Sequence, residues 1–106
     1  MSDERIELNS DELRQKINLE TGLIEWSELA RYFAKGMVVA ISHELDLIEV
    51  AERFAADDQI QVASWIEQKK ITRAQDDDAR RWHAQNTEFW SVVVAPWVLV
   101  QEKSSH

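Results

Sequence analysis

Phe89-Trp90-Ser91-Val92-Val93-Val94-Ala95-Pro96-Trp97-Val98-Leu99-Val100-Gln101 is the stretch on which the fold turns. Its β-branched and aromatic content marks it as strand. It is apolar at both alternating positions, whereas a half-buried strand would alternate apolar with polar. It is therefore expected to be a central strand, covered on both faces. Pro96 cannot donate to a ladder, so a bulge, a bend or an edge is expected there. The run is also far shorter than the ~20 residues a membrane-spanning helix needs.

The remaining chain supplies the cover. Immediately upstream, Asp76-Asp77-Asp78 opens a helix over about 76–85 that carries Trp82, and Ile71-Thr72-Arg73 reads as a short strand. A helix over 59–69 is expected with Asp58 as N-cap and Gln61 in the capping-box position, packing through Val62, Ile66, Ile60 and Trp65. Ser42 offers an N-cap for a helix over 43–56, whose apolar face is Leu45, Ile48, Ala51 and Ala55 flanked by Phe54.

Met37-Val38-Val39-Ala40-Ile41 is short, β-branched and bounded by Gly36 and Ser42, so it predicts a buried strand. Trp26, Leu29, Ala30 and Phe33 stand at i, i+3, i+4 and i+7, the stripe of a helix over 24–35 that ends with Lys35 and a C′ Gly36. A first helix is signalled by Asn9 as N-cap, Glu12 three residues on, and Leu8 with Leu13 as a hydrophobic staple; Thr21-Gly22 interrupts it.

These elements predict an α+β domain over 10–102, with helices packed on a short three-stranded sheet. Residues 1–9 are expected to be a flexible segment and 103–106 a tail. The order helix-strand-helix-helix-strand-insert-strand is also that of a winged helix, with 45–56 and 59–69 in the place of a helix-turn-helix.

Composition narrows the function classes. A chain of 106 residues that is 44% apolar builds one core. There is no Cys, and Met1-Ser2-Asp3-Glu4-Arg5-Ile6 lacks the pattern of a signal peptide, so the cytosol is the expected compartment. A net charge of −8 disfavours nucleic acid and anionic membrane as partners. The charge is uneven: residues 37–58 hold six acids and one base, while 59–75 hold one acid and three bases.

Ile24-Glu25-Trp26-Ser27-Glu28-Leu29, Leu45-Asp46-Leu47-Ile48-Glu49-Val50-Ala51, Asp57-Asp58 before Val62-Ala63-Ser64-Trp65-Ile66, and the closing Val93-Val94-Ala95-Pro96-Trp97-Val98-Leu99-Val100-Gln101 together resemble a small bacterial family catalogued as domain of unknown function 2288. The resemblance spans about residues 10–102. It implies a bacterial single-domain protein, and it brings no activity, cofactor, partner or site residue.

Trp90 and Trp97 flank the two-faced strand, and a small monomer that leaves one face uncovered would use it for a protein partner or a second copy. Glu49 and Glu52 would orient that partner, so the leading expectation is a non-catalytic interaction or regulatory module. Lys69, Lys70, Arg73, Arg80 and Arg81 are the basic concentration, and in a winged helix they would contact phosphates. The segment Gln59–Glu67 that would enter the groove has no Arg.

An enzyme or metal protein would require separated groups such as His43, Asp46 and His83 to converge. No His-x-x-x-His spacing, nucleophile elbow or phosphate loop is present, so no catalytic residue, metal or cofactor is expected. Three successive carboxylates on a helix point about 100° apart. Asp76-Asp77-Asp78 therefore reads as a helix N-terminus rather than an ion site. Asp57-Asp58 reads as turn and N-cap chemistry.

Overall fold

The computed structural model describes residues 10–103. In order they form α1 (Ser10–Glu20), β1 (Gly22–Glu25), α2 (Trp26–Ala34), β2 (Val38–Ile41), α3 (Leu47–Ala55), α4 (Gln59–Glu67), β3 (Ile71–Arg73), α5 (Asp76–Gln85), β4 (Glu88–Val94) and β5 (Trp97–Glu102). The α+β class is as expected. The sheet has five strands in the order β1-β4-β5-β2-β3, not three. Asn9, Leu8, the segment 1–9 and most of the tail lie outside the described residues.

The additional strands come from two places. Phe89–Gln101 is not one strand but an antiparallel hairpin, with Val94 paired to Trp97 across a turn that holds the cis Ala95–Pro96 bond. Pro96 sits in that turn, where its missing N–H costs no ladder bond. Ile24 and Glu25, expected to begin a helix, instead pair with Phe89 and Glu88 of β4. The helix stripe is real but starts at Trp26, whose N–H donates to the Thr87 carbonyl at 3.0 Å.

The central position expected for the apolar stretch falls to β5, flanked by antiparallel β4 and parallel β2. Val98, Leu99 and Val100 are all buried, because helices cover both faces of the sheet. On one face Leu99, Val92, Val39, Ile41 and Ile71 pack against Ile17 of α1, Val50 of α3 and Trp65 of α4. On the other, Val98, Val100, Val38 and Phe89 pack against Leu29 of α2 and Trp82 of α5. Trp82 and Phe89 meet edge to face, their ring centroids 4.9 Å apart.

Helix ends follow local chemistry. Asp58 caps α4 through the Gln61 N–H at 3.1 Å, as its position predicts. Helix α3 is capped by Asp46, which accepts from the Ile48 N–H at 2.9 Å; Ser42 accepts from Glu44 N–H in the preceding turn and does not start the helix. Gly36, Asp57 and Lys69 each follow a helix in the left-handed conformation. Each ending carries the paired backbone bonds of a Schellman motif, for example Lys69 N–H to Ile66 and Lys70 N–H to Trp65.

The helix-strand-helix-helix-strand-insert-strand order is present, with α5 as the insert, but the arrangement is not that of a winged helix. The run α2-β2-α3-α4-β3-α5-β4 is preceded by β1 and followed by β5, which extend the sheet to five strands. Moreover, β2 pairs in parallel with β5. No described helix is long and apolar enough to cross a membrane.

Candidate functional site

Helix α4 has more apolar residues than one buried face uses. Trp65 is buried and Val62 is half-buried, but Ile60 and Ile66, expected in the core, are 86% and 54% exposed. Ile66 lines an open groove of about 430 Å³ between α3, α4 and the tip of the β4–β5 hairpin, and Ile60 lies outside it. Phe54, Val62, Ile66, Val94, Pro96 and Trp97 give it apolar walls. Arg53, Asp57 and Asp58 stand on its rim, with Arg53 Nη1 3.7 Å from an Asp58 oxygen.

Trp97 is thus at the proposed contact surface, but it does not act with Trp90. The two lie at opposite ends of the hairpin, opposite Val94 and Gln101 respectively. Trp90 is 43% exposed and lines a separate depression with Asn18, Thr21 and Ile48. On the face they share, Val92 and Leu99 are buried against α3, which divides the face expected to be continuous. The guanidinium carbon of Arg73 lies 5.4 Å from the Trp97 ring centroid, and its Nε donates to the Gly36 carbonyl at 2.9 Å.

The acidic residues of α3 also separate. Glu49 is exposed. Glu52 accepts from Arg14 Nη1 at 2.8 Å, and Asp46 accepts from Arg14 Nη2 at the same distance. One guanidinium therefore ties α1 to the N-cap and the second turn of α3. The hydrogen bond from Arg14 to Asp46 is the main reason the guanidinium pKa is raised; the charges of Asp46 and Glu52 add to it.

The basic residues are dispersed over the fold. Lys69, Lys70 and Arg81 line one polar cleft with His43. Arg73 is on the other side of the sheet against Trp97, and Arg80 is held 2.7 Å from Asp77 on the outside of α5. Arg81 is 2.9 Å from Glu102 and 3.4 Å from Asp78, and its pKa is raised chiefly by the hydrogen bond to Glu102. Lys70 is 3.5 Å from Glu44.

His43, Asp46 and His83 do not converge. His43 Nε2 bonds to the Glu102 carbonyl, Asp46 engages Arg14, and His83 is exposed on α5. Among the described residues, no group of three or more metal-ligating side chains is placed to hold an ion. Asp76, Asp77 and Asp78 form the first turn of α5, where Asp78 accepts from the Gln75 N–H at 2.9 Å.

The sequence pattern marks none of Phe54, Val62, Ile66 and Pro96 as a contact residue; Phe54, Val62 and Ile66 read as core-facing. The available signal was the composition of α4, in which Ile60, Val62, Ala63, Trp65 and Ile66 exceed what one stripe requires.

No curated protein matches the chain. Its fold is similar to the NMR solution structure of PA1075 from Pseudomonas aeruginosa, with a TM-score of 0.78 and 36% identity over 98% of this chain and 95% of that one. The model of a family described as protein of unknown function (DUF2288) matches residues 12–102, which include α3, α4 and the hairpin that form the groove. The chain belongs to that family.

Proposed function

We propose that the protein is a non-catalytic interaction module of the cytosol that self-associates through exposed Ile60 of α4 and the groove lined by Ile66. The observation that carries this reading is the adjacency of knob and hole on one patch. Ile60 stands 86% exposed on α4 outside the groove, while Ile66 joins Phe54, Val62, Pro96 and Trp97 in its wall. A two-fold axis through such a patch seats Ile60 of each copy in the groove of the other, the self-complementarity an isologous dimer needs.

Charge supports a second copy as the occupant. The whole chain carries −8, but the groove rim carries both signs, Arg53 beside Asp57 and Asp58. Like copies can therefore approach here with acid facing base. The nucleic-acid reading has weaker support, because Arg73 and Arg80 stand apart from the other three bases and are engaged with Trp97 and Asp77.

Dilution monitored by amide and indole NMR shifts tests the proposal. Concentration-dependent shifts at Ala63, Ile66, Pro96 neighbours and the Trp97 indole, with Trp90 unmoved, are expected. Shifts centred on Trp90, or none over the accessible range, would refute it.

A further inference from the structure

The polar cleft lies on the opposite side of the sheet from the groove and is unrelated to the dimer reading. Its volume is about 270 Å³, and it opens at the carboxyl ends of β2 and β5, the parallel pair of the sheet. Ligands of open sheets that contain parallel strands favour this position, because the loops leaving the strand ends diverge and leave a crevice. Four parts of the chain line it: the β2–α3 turn with His43, the α4–β3 turn with Lys69 and Lys70, α5 with Arg81, and the end of β5 with Glu102.

The charge of this crevice differs from that of the molecule. Its lining carries Lys69, Lys70 and Arg81 against Asp78 and Glu102, and with Glu44 3.5 Å from Lys70 the crevice is balanced in charge on a chain of net −8. The two carboxylates are already occupied, Asp78 by Arg81 and Glu102 by both Arg81 and the Trp82 indole N–H at 3.0 Å. Lys69 has no ion partner among the described residues, and the Schellman turn at the end of α4 fixes its backbone with φ 62°. The floor is apolar, formed by Ala40, Val100 and Trp82.

We propose that this cleft binds a small phosphate monoester, with Lys69 and Lys70 on the phosphate, His43 beside it and the organic group over Ala40 and Val100. A tetrahedral oxyanion accepts hydrogen bonds from several directions at once, which suits donors arriving from separate loops. The volume exceeds that of inorganic phosphate alone and leaves room for a compact organic group. A polyanionic duplex fits poorly, since Glu44, Asp78 and Glu102 border the basic residues.

The test titrates the isotope-labelled chain with inorganic phosphate, then with phenyl phosphate, against chloride at matched ionic strength. Saturable amide shifts confined to His43, Lys69, Lys70, Thr72 and Arg81, with phenyl phosphate binding more tightly than phosphate, are expected. A Lys69→Gln/Lys70→Gln double variant should weaken binding about tenfold or more while keeping its dispersed spectrum, given the strength of charge-assisted hydrogen bonds. Should the double variant lose its fold, the single Lys69→Gln variant, which breaks no ion pair of the described residues, supplies the same comparison. Shifts equal to those of chloride, shifts scattered over the surface, or preferential binding of a DNA duplex at these residues would each overturn the proposal.

Discussion

Arg73 covers Trp97: the guanidinium carbon lies 5.4 Å from the ring centroid, and the same side chain bonds the Gly36 carbonyl. An edge-strand residue thereby supports the tryptophan at the hairpin end of the groove. Arg73→Ala is expected to destabilise the fold by about 1 kcal/mol, combining a cation–π contact with one hydrogen bond. Urea unfolding followed by tryptophan fluorescence measures it; an unchanged midpoint would show that the stacked arrangement does not persist in solution.

The central strand should be the most sensitive place in the chain. Leu99 is fully buried, between β4 and β2 and under α3. Leu99→Ala is expected to cost about 2–5 kcal/mol, because the transfer loss adds to an unfilled cavity. By contrast, Val93→Ala should stay within about 0.5 kcal/mol, since that side chain is 59% exposed. Calorimetric unfolding separates the two, and equal effects would contradict the assignment of β5 as the covered strand.

Two left-handed helix ends predict opposite signs. Gly36 has φ 73°, and a Cβ there would stand 3.0 Å from Arg73 Nη2. Gly36→Ala should therefore destabilise by about 1 kcal/mol. Lys69 has φ 62° with a full side chain. Lys69→Gly should stabilise by about 0.5–1 kcal/mol through relief of that conformation. Thermal unfolding of both variants checks the pair, and the prediction fails if the signs agree.

Arg14 is the clamp between α1 and α3, reaching Asp46 and Glu52 at 2.8 Å each. Its side chain is 48% exposed, so the clamp acts locally and is screened by salt. Arg14→Met should leave the global unfolding midpoint nearly unchanged while speeding amide exchange in Leu13–Asn18. High salt should reproduce part of that effect in the unaltered chain. Exchange rates indifferent to both changes would assign the docking of α1 to Ile17 alone.

Periodicity made much of this fold legible. The stripe Trp26, Leu29 and Phe33, the Asp58 cap and the Gly36 stop all lie where spacing and cap chemistry place them. The two-faced apolar run correctly predicts a strand covered on both sides. The hairpin was hidden because its turn, Ala95-Pro96, is itself apolar and carries none of the Gly or Asn punctuation of common hairpins. Strand β1 was hidden because Ile24 and Glu25 also suit the helix that follows; only pairing with β4 decides their conformation.

Site residues were harder to read, because charge partners are set by tertiary distance. Glu52 and Arg14 are 38 positions apart in sequence, and no local pattern announces that they meet. Arg73 looked like a phosphate contact until the register of β3 against β2 put it on the same face as Trp97. Likewise, Lys69, Lys70 and Arg81 share a cleft only because α5 crosses back over the parallel pair. Ile60 and Ile66 are outside because Trp65 alone fills the place under α4.

Sedimentation equilibrium of the unaltered chain beside Ile66→Glu and Leu19→Glu tests the central claim most directly. Both variants place the same charge on an exposed apolar position, 54% exposed at Ile66 and 85% at Leu19, but only Ile66 lines the groove. The account predicts a reversible dimer for the unaltered chain and for Leu19→Glu, and a monomer for Ile66→Glu at the same concentration. A chain that stays monomeric at its highest soluble concentration, or a dimer that Ile66→Glu leaves intact, would contradict it.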